Sequence, residues 1–435
     1  MSGKYLKKNR KKKVRAAELI LIAIAVLLAA VSGLLLWDLG SSPDTPAPES
    51  GPVADETKPE QNLSGTAPEQ MPSDSTAATQ PADSAAVHAR KILETMSLEE
   101  KIYQMFIVTQ EQLTGVGNVI QSGSSTRAAI EKQPVGGIIY FTPNLVSREQ
   151  TGAMISNIQS YSKLGLFIAV DEEGGIVSRV ARNEAMGTTA FPAMGTIGSS
   201  GDPDKAYEVG CTIGTDIAAL GFNLDFAPVA DVNSNPNNPV IGTRAFHSDP
   251  VTAAKMVAAC VRGFNDSGML CTLKHFPGHG DTSTDSHYGE AEISKNLEEL
   301  MQCELLPFIS GIEAGAPFIM VGHITAPNVT DEPVPATLSH DIVTGLLREK
   351  LQYDGLIITD SMTMQAITDR YSSGEAAVKA IAAGVDIILI PQNLNNAVAG
   401  IKTAVADGTL TEERLDESVL RILETKIRSG IIPIP

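Results

Sequence analysis

Residues 274–287 read KHFPGHGDTSTDSH and hold three of the chain's seven histidines, two aspartates and a lysine. Imidazoles and carboxylates at this density suit proton transfer or metal binding. Lys274 offers three N–H donors and His275 one or two, a set that binds hydroxyl groups. Pro277, Gly278 and Gly280 break regular structure, so a mobile loop is expected to follow. Asp285 and His287 lie two apart, and in extended chain such positions share a face. A carboxylate there would orient the imidazole and keep it basic, as a general acid/base near neutral pH requires. Metal binding is the rival: His275, His279, Asp281, Asp285 and His287 include plausible zinc ligands, although no HExxH frame is present.

Three further stretches carry candidate groups. Asp360 ends the apolar run GLIITD, where a carboxylate can act as a nucleophile or, alternatively, cap the segment after it. DEEGGIVSR (171–179) sets Asp171 before paired glycines and Arg179, and IGTRAF (241–246) sets Arg244 in a loop. An arginine fork can donate several hydrogen bonds to a neutral sugar, or form a surface ion pair.

These groups need a scaffold. Eight apolar runs alternate with helix-like stretches: 103–109, 136–141, 166–171, 222–229, 270–276, 317–324, 355–360 and 386–391. Near-continuous apolar runs suit parallel strands covered on both faces. Eight strand–helix units in this length predict an α/β fold, a (β/α)8 TIM barrel. Asp171, Lys274, His275, His323 and Asp360 then fall at or near the C-terminal strand ends, the rim where such barrels place their chemistry. A doubly wound sheet is the alternative, without a GxGxxG after the first strand to support it.

The N-terminal part is of different material. Residues 1–18 form a basic tail, with eight Lys and Arg between Lys4 and Arg15. The uncharged run 19–37 would make a helix about 28 Å long, enough to cross a bilayer. Basic residues on one flank predict a cytoplasmic N-terminus and an exported body. An uncleaved anchor is favoured over a signal peptide cut near Ala30. Residues 38–87, rich in Pro, Ser, Thr and acidic residues, read as a disordered linker, and 88–435 as the barrel. The net charge is −18, and the part after Arg15 is more acidic still. That excludes nucleic acid as a partner. The four cysteines make no CxxC or Cys/His spacing and read as buried small apolar groups.

KHFPGHGDTSTDSH, DEEGGIVSR, IGTRAF and ITDSM, in this chain order, resemble glycoside hydrolase family 3, in its β-N-acetylhexosaminidase branch. The resemblance covers roughly residues 90 to 430. It implies a retaining exo-glycosidase with Asp360 as nucleophile, His287 as acid/base and Asp285 polarising His287. Asp171, Arg179, Arg244, Lys274 and His275 would bind the N-acetylglucosamine unit of a wall glycan. No metal and no cofactor is implied, and the chain is expected to act as a monomer. Two departures stand out: Glu172 replaces a common glutamine, and YGEAEISKN lacks the leucine–proline of many relatives. No second domain is expected to supply catalytic groups. A β-glucosidase of the same family and a non-catalytic wall-binding barrel are the competing expectations.

Overall fold

The computed structural model describes residues 84–286 and 289–434. The basic tail, the apolar run 19–37, nearly all of the linker and His287 lie outside the described residues. Among the described residues, no helix is long and apolar enough to cross a membrane.

Eight parallel strands form one sheet: β1 (Phe106–Thr109), β2 (Gly137–Ile139), β3 (Phe167–Val170), β4 (Leu224–Asp225), β5 (Leu270–Phe276), β6 (Phe318–Val321), β7 (Leu356–Thr359) and β8 (Ile388–Leu389). Their spatial order follows the chain order, with β8 beside β1. A parallel bridge between Ile358 and Ile387 brings β7 to β8, with Thr359 N–H donating to Ile387 O at 3.0 Å. The result is a nearly closed eight-stranded barrel. Phe167 of β3 and Phe318 of β6 meet edge to face at 5.3 Å inside it, although their strands are not neighbours. The interior is therefore a packed core and not a pore.

All eight strands fall within the expected runs, seven with shorter ends and β5 over the whole of its run. Tyr103 and Gln104 belong to the helix Leu98–Gln104, whose capping box at Ser97 and Glu100 continues the helical pattern into the expected strand. The run 222–229 keeps only two strand residues, because Pro228 has no N–H for a ladder. Chain before His88 is also structured: the helix Ser84–Leu93 starts inside the expected linker and buries Ala85 and Ala89.

Local chemistry sets the outer helices. Asp202 and Asp249 each cap a helix whose first residue is proline, Pro203–Ala218 and Pro250–Asp266. These two helices follow β3 and β4 and pack closely through Gly210 and Gly263. A Cβ at either would collide with the backbone of the other helix. All four cysteines are free thiols; Cys260 and Cys271 are buried, while Cys211 and Cys303 are partly exposed.

Candidate active site

A cavity of about 480 Å³ opens at the C-terminal end of the barrel, within the range of small-ligand sites. Asp171, Arg179, Arg244, Lys274, His275 and Asp360 all line it. Six side chains expected from distant stretches of sequence are thus brought to one place.

The chain leaving β3 turns in a tight hairpin, Glu172–Gly174 against Val177–Ser178. Gly174 and Gly175 both have positive φ, 84° and 60°, and a Cβ at Gly175 would strike Ala193. The Glu172 carboxylate secures the turn: it accepts from the Ser178 hydroxyl and from the N–H groups of Arg179 (2.7 Å), Val180 (2.6 Å) and Ala181 (3.3 Å). Four donors call for an acceptor-only group, which accounts for glutamate where glutamine was noted as common. Burial pushes the Glu172 carboxyl up, against the pull of those hydrogen bonds. Below it, fully buried Asp225 accepts from Glu172 N–H at 2.9 Å, and burial raises its carboxyl well above the usual range. Arg179 leaves the hairpin over the Phe141 ring, its guanidinium carbon 6.0 Å from the ring centroid.

Glu173 is the hub. Arg244 grips it through two bonds, Nε to Oε2 at 2.8 Å and a terminal nitrogen to Oε1 at 2.7 Å. Lys274 Nζ lies 2.6 Å from Glu173 Oε1 and 2.9 Å from Asp171 Oδ1. Burial alone would raise the Glu173 carboxyl, but the Lys274 and Arg244 charges win and hold it at about 2. For Lys274 burial acts downward, and Asp171 and Glu173 outweigh it, so its pKa is raised. Glu173, Lys274 and Arg244 thus hold one another charged at the cavity, as sugar hydroxyl recognition requires.

Asp231 organises the neighbouring stretch of chain. Its carboxylate takes His275 Nδ1 at 2.8 Å, the His275 N–H at 3.2 Å and the His279 N–H at 2.6 Å. His279 in turn fastens the loop after β5: Nδ1 lies 2.7 Å from Thr282 Oγ1 and Nε2 2.9 Å from Ser286 Oγ. Burial, with His275 nearby, pushes the His279 imidazole down, so it stays neutral. Asn238 Nδ2 adds bonds to the carbonyls of His279 and Thr282, both at 2.8 Å. The loop expected to be mobile is therefore tied down as far as Ser286. Of the residues in the rival zinc reading, both ring nitrogens of His279 are engaged by these hydroxyls and Nδ1 of His275 by Asp231.

Asp285 sits on this loop and is not among the residues lining the cavity. Asp360 directly follows β7, and its Oδ1 accepts from Ser361 N–H at 2.7 Å. Glu173 and Asp231 were missed in the sequence. Both carry the strand-end signal: Glu173 follows Asp171 by two residues, and Asp231 follows the fourth apolar run.

Residues 97–425 match the model of the glycosyl hydrolase family 3 N terminal domain. The chain is 36% identical over 324 residues to β-hexosaminidase A of Pseudoalteromonas piscicida, covering 69% of this chain and 54% of that protein. To the β-hexosaminidase of Idiomarina loihiensis it is 34% identical over 293 residues, covering 66% and 85%. The solved family 3 β-N-acetylglucosaminidase of Paenibacillus sp. FPU-7 superposes with a TM-score of 0.73 at 38% identity, over 77% of this chain and 63% of that one. This chain thus spans about half the length of the Pseudoalteromonas protein and under two thirds of the Paenibacillus one.

Proposed function

The chain belongs to glycosyl hydrolase family 3, and from that premise we propose that it is an exo-acting, retaining β-N-acetylhexosaminidase. The observation that carries this reading is the single cavity shared by Asp360 and the Asp171, Arg179, Arg244, Lys274 and His275 cluster. The names of the similar proteins, β-hexosaminidases among them, support the same substrate class.

The reaction follows from the residues. Terminal N-acetylglucosamine is held by donors from Lys274, Arg179 and Arg244 and by the Asp171 carboxylate. Asp360 attacks the anomeric carbon; the C–O bond to the leaving group breaks, and a glycosyl ester forms on the carboxylate. His287 gives its proton to the leaving oxygen, oriented by Asp285, and then takes one from the water that hydrolyses the ester. Glu173 holds the two cations in register. We further propose that residues 19–37 anchor the protein in the membrane, that the barrel is exported, and that it acts as a monomer on peptidoglycan-derived glycans.

Turnover of an aryl N-acetylglucosaminide beside an aryl glucoside tests the reading. The N-acetylglucosaminide is expected to be cleaved with the higher kcat/KM. His287→Ala should lower that rate by about 10²–10⁴-fold. Preference for the glucoside, or an unchanged rate in the variant, would overturn the assignment concerned.

A further inference from the structure

His323 stands two residues beyond β6, is buried and is not among the residues lining the cavity. Its ring crosses to the chain leaving β7. Nε2 lies 2.9 Å from the carbonyl oxygen of Ser361, and Nδ1 lies 2.8 Å from Thr337 Oγ1. A carbonyl oxygen only accepts, so Nε2 carries a proton and donates it. Ser361 is held from its other side too, where its N–H donates to Asp360 Oδ1 at 2.7 Å. The Asp360 N–H donates to Val321 O at 2.9 Å. Thr337 Oγ1 completes the circuit, 2.8 Å from Gly322 O and 3.1 Å from Val321 O. The peptide units on both sides of Ser361 are thus fixed, one by Asp360 itself and one by His323.

We propose that His323 is a positioning residue for Asp360: by holding the Ser361 carbonyl it sets the direction of the Ser361 N–H, and so the rotation of the carboxylate that this N–H fixes. The inference rests on reading Asp360 as the nucleophile. Rotating Ser361 out of place would break both its bond to His323 and its bond to Oδ1, so the two are mechanically coupled. A nucleophile turned away from its line of attack loses rate without losing substrate affinity, and a displacement of 1 Å can cost about 10²-fold. A buried histidine that only bridges two strands would instead affect stability.

Three variants separate these roles. In His323→Gln the amide nitrogen occupies the place of Nε2 and can still donate to Ser361. In His323→Asn the shorter amide stays near Thr337 and falls short of Ser361. His323→Leu removes both bonds. Wild type is first assayed on the aryl N-acetylglucosaminide and the aryl glucoside, and the series is run on the substrate it cleaves. The Asn and Leu variants should lose about 10–100-fold in kcat with KM within about two-fold, and covalent labelling by a fluorosugar should slow in parallel. Gln should recover to within a few-fold of wild type. Equal activity in the Gln and Asn variants would overturn the role of the Ser361 bond. So would an unchanged kcat in Leu, or a KM that moves with kcat. If Leu fails to fold, the Gln and Asn pair decides. Wild-type cleavage of the glucoside alone would refute the substrate assignment and leave the His323 series to be read on the glucoside. Cleavage of neither would overturn both.

Discussion

At the C-terminal end of the barrel, Glu173 gathers Lys274 and Arg244; at the N-terminal end, Asp386 gathers Arg348, Arg421 and Ser418. Both carboxylates are buried, and both hold two cations. Their surroundings differ. Around Glu173, its partners Lys274 and Arg244, with the Asp171 that Lys274 also holds, line a cavity that can take a sugar. Around Asp386, the Ile357 N–H bonds at 2.9 Å and the Ser418 hydroxyl at 2.6 Å join strand to outer helix, so the group fastens the C-terminal helix Glu412–Arg428 to the barrel floor. Lys426 of that helix goes further in the same direction. It is fully buried, with Nζ 2.8 Å from Gln104 Oε1 and 5.0 Å from the Phe167 ring centroid. Buried charge in one protein therefore has two uses: at the mouth it is aimed at a ligand, and at the floor it joins layers or is merely tolerated.

The largest difference between the two ends should appear with Asp360→Ala. Turnover should fall by about 10⁴-fold or more, while the melting temperature holds; a parallel collapse of both would erase the distinction. Glu173→Gln comes next and should register at both levels. It leaves Lys274 and Arg244 buried without their shared countercharge, which costs about 3–5 kcal/mol in chemical denaturation, and KM should rise because both donors lose their register. Asp386→Asn should cost about 3 kcal/mol of stability, with KM and kcat of the folded enzyme unchanged. A raised KM there would show that the floor reaches the site.

Lys426→Met has the opposite sign. Burial pushes the Lys426 amine down to about 7, whereas in the unfolded chain it titrates near 10.4. Between those values the unfolded chain binds more protons, so stability rises with pH across that window and the penalty is fully felt below about pH 7. Lys426→Met should stabilise the protein by up to about 4–5 kcal/mol at pH 6. It should also flatten the rise between pH 7 and 10, as urea midpoints taken at several pH values would record.

Much of this was legible in the sequence. The strands were visible because parallel barrel strands are buried on both faces, so runs such as LIIT and FIAV stand out without alternation. Asp171, Lys274, His275 and Asp360 were readable because a polar residue ending such a run has only the rim to occupy. Arg179 and Arg244 needed the family resemblance, since a loop arginine looks like any surface arginine until Phe141 or Glu173 is seen beside it. Asp231 was hidden because the fourth strand breaks at Pro228 and its polar end lies beyond the run. The tethering of the loop after β5 was hidden for another reason: Asn238, Thr282 and Ser286 act through backbone and hydroxyl contacts with no spacing rule. Lys426 was illegible, because nothing in ETKIR distinguishes a buried lysine from a solvated one.

The central claim is that the side chain at position 360 bonds to the sugar. Incubation with an activated fluorosugar analogue of N-acetylglucosamine, followed by proteolysis and mass spectrometry of the trapped protein, tests it directly. The account predicts one added sugar per chain, on the peptide carrying Asp360, and none on Asp360→Ala. A sugar on another residue, or wild-type turnover of the analogue through no covalent adduct at all, would contradict it.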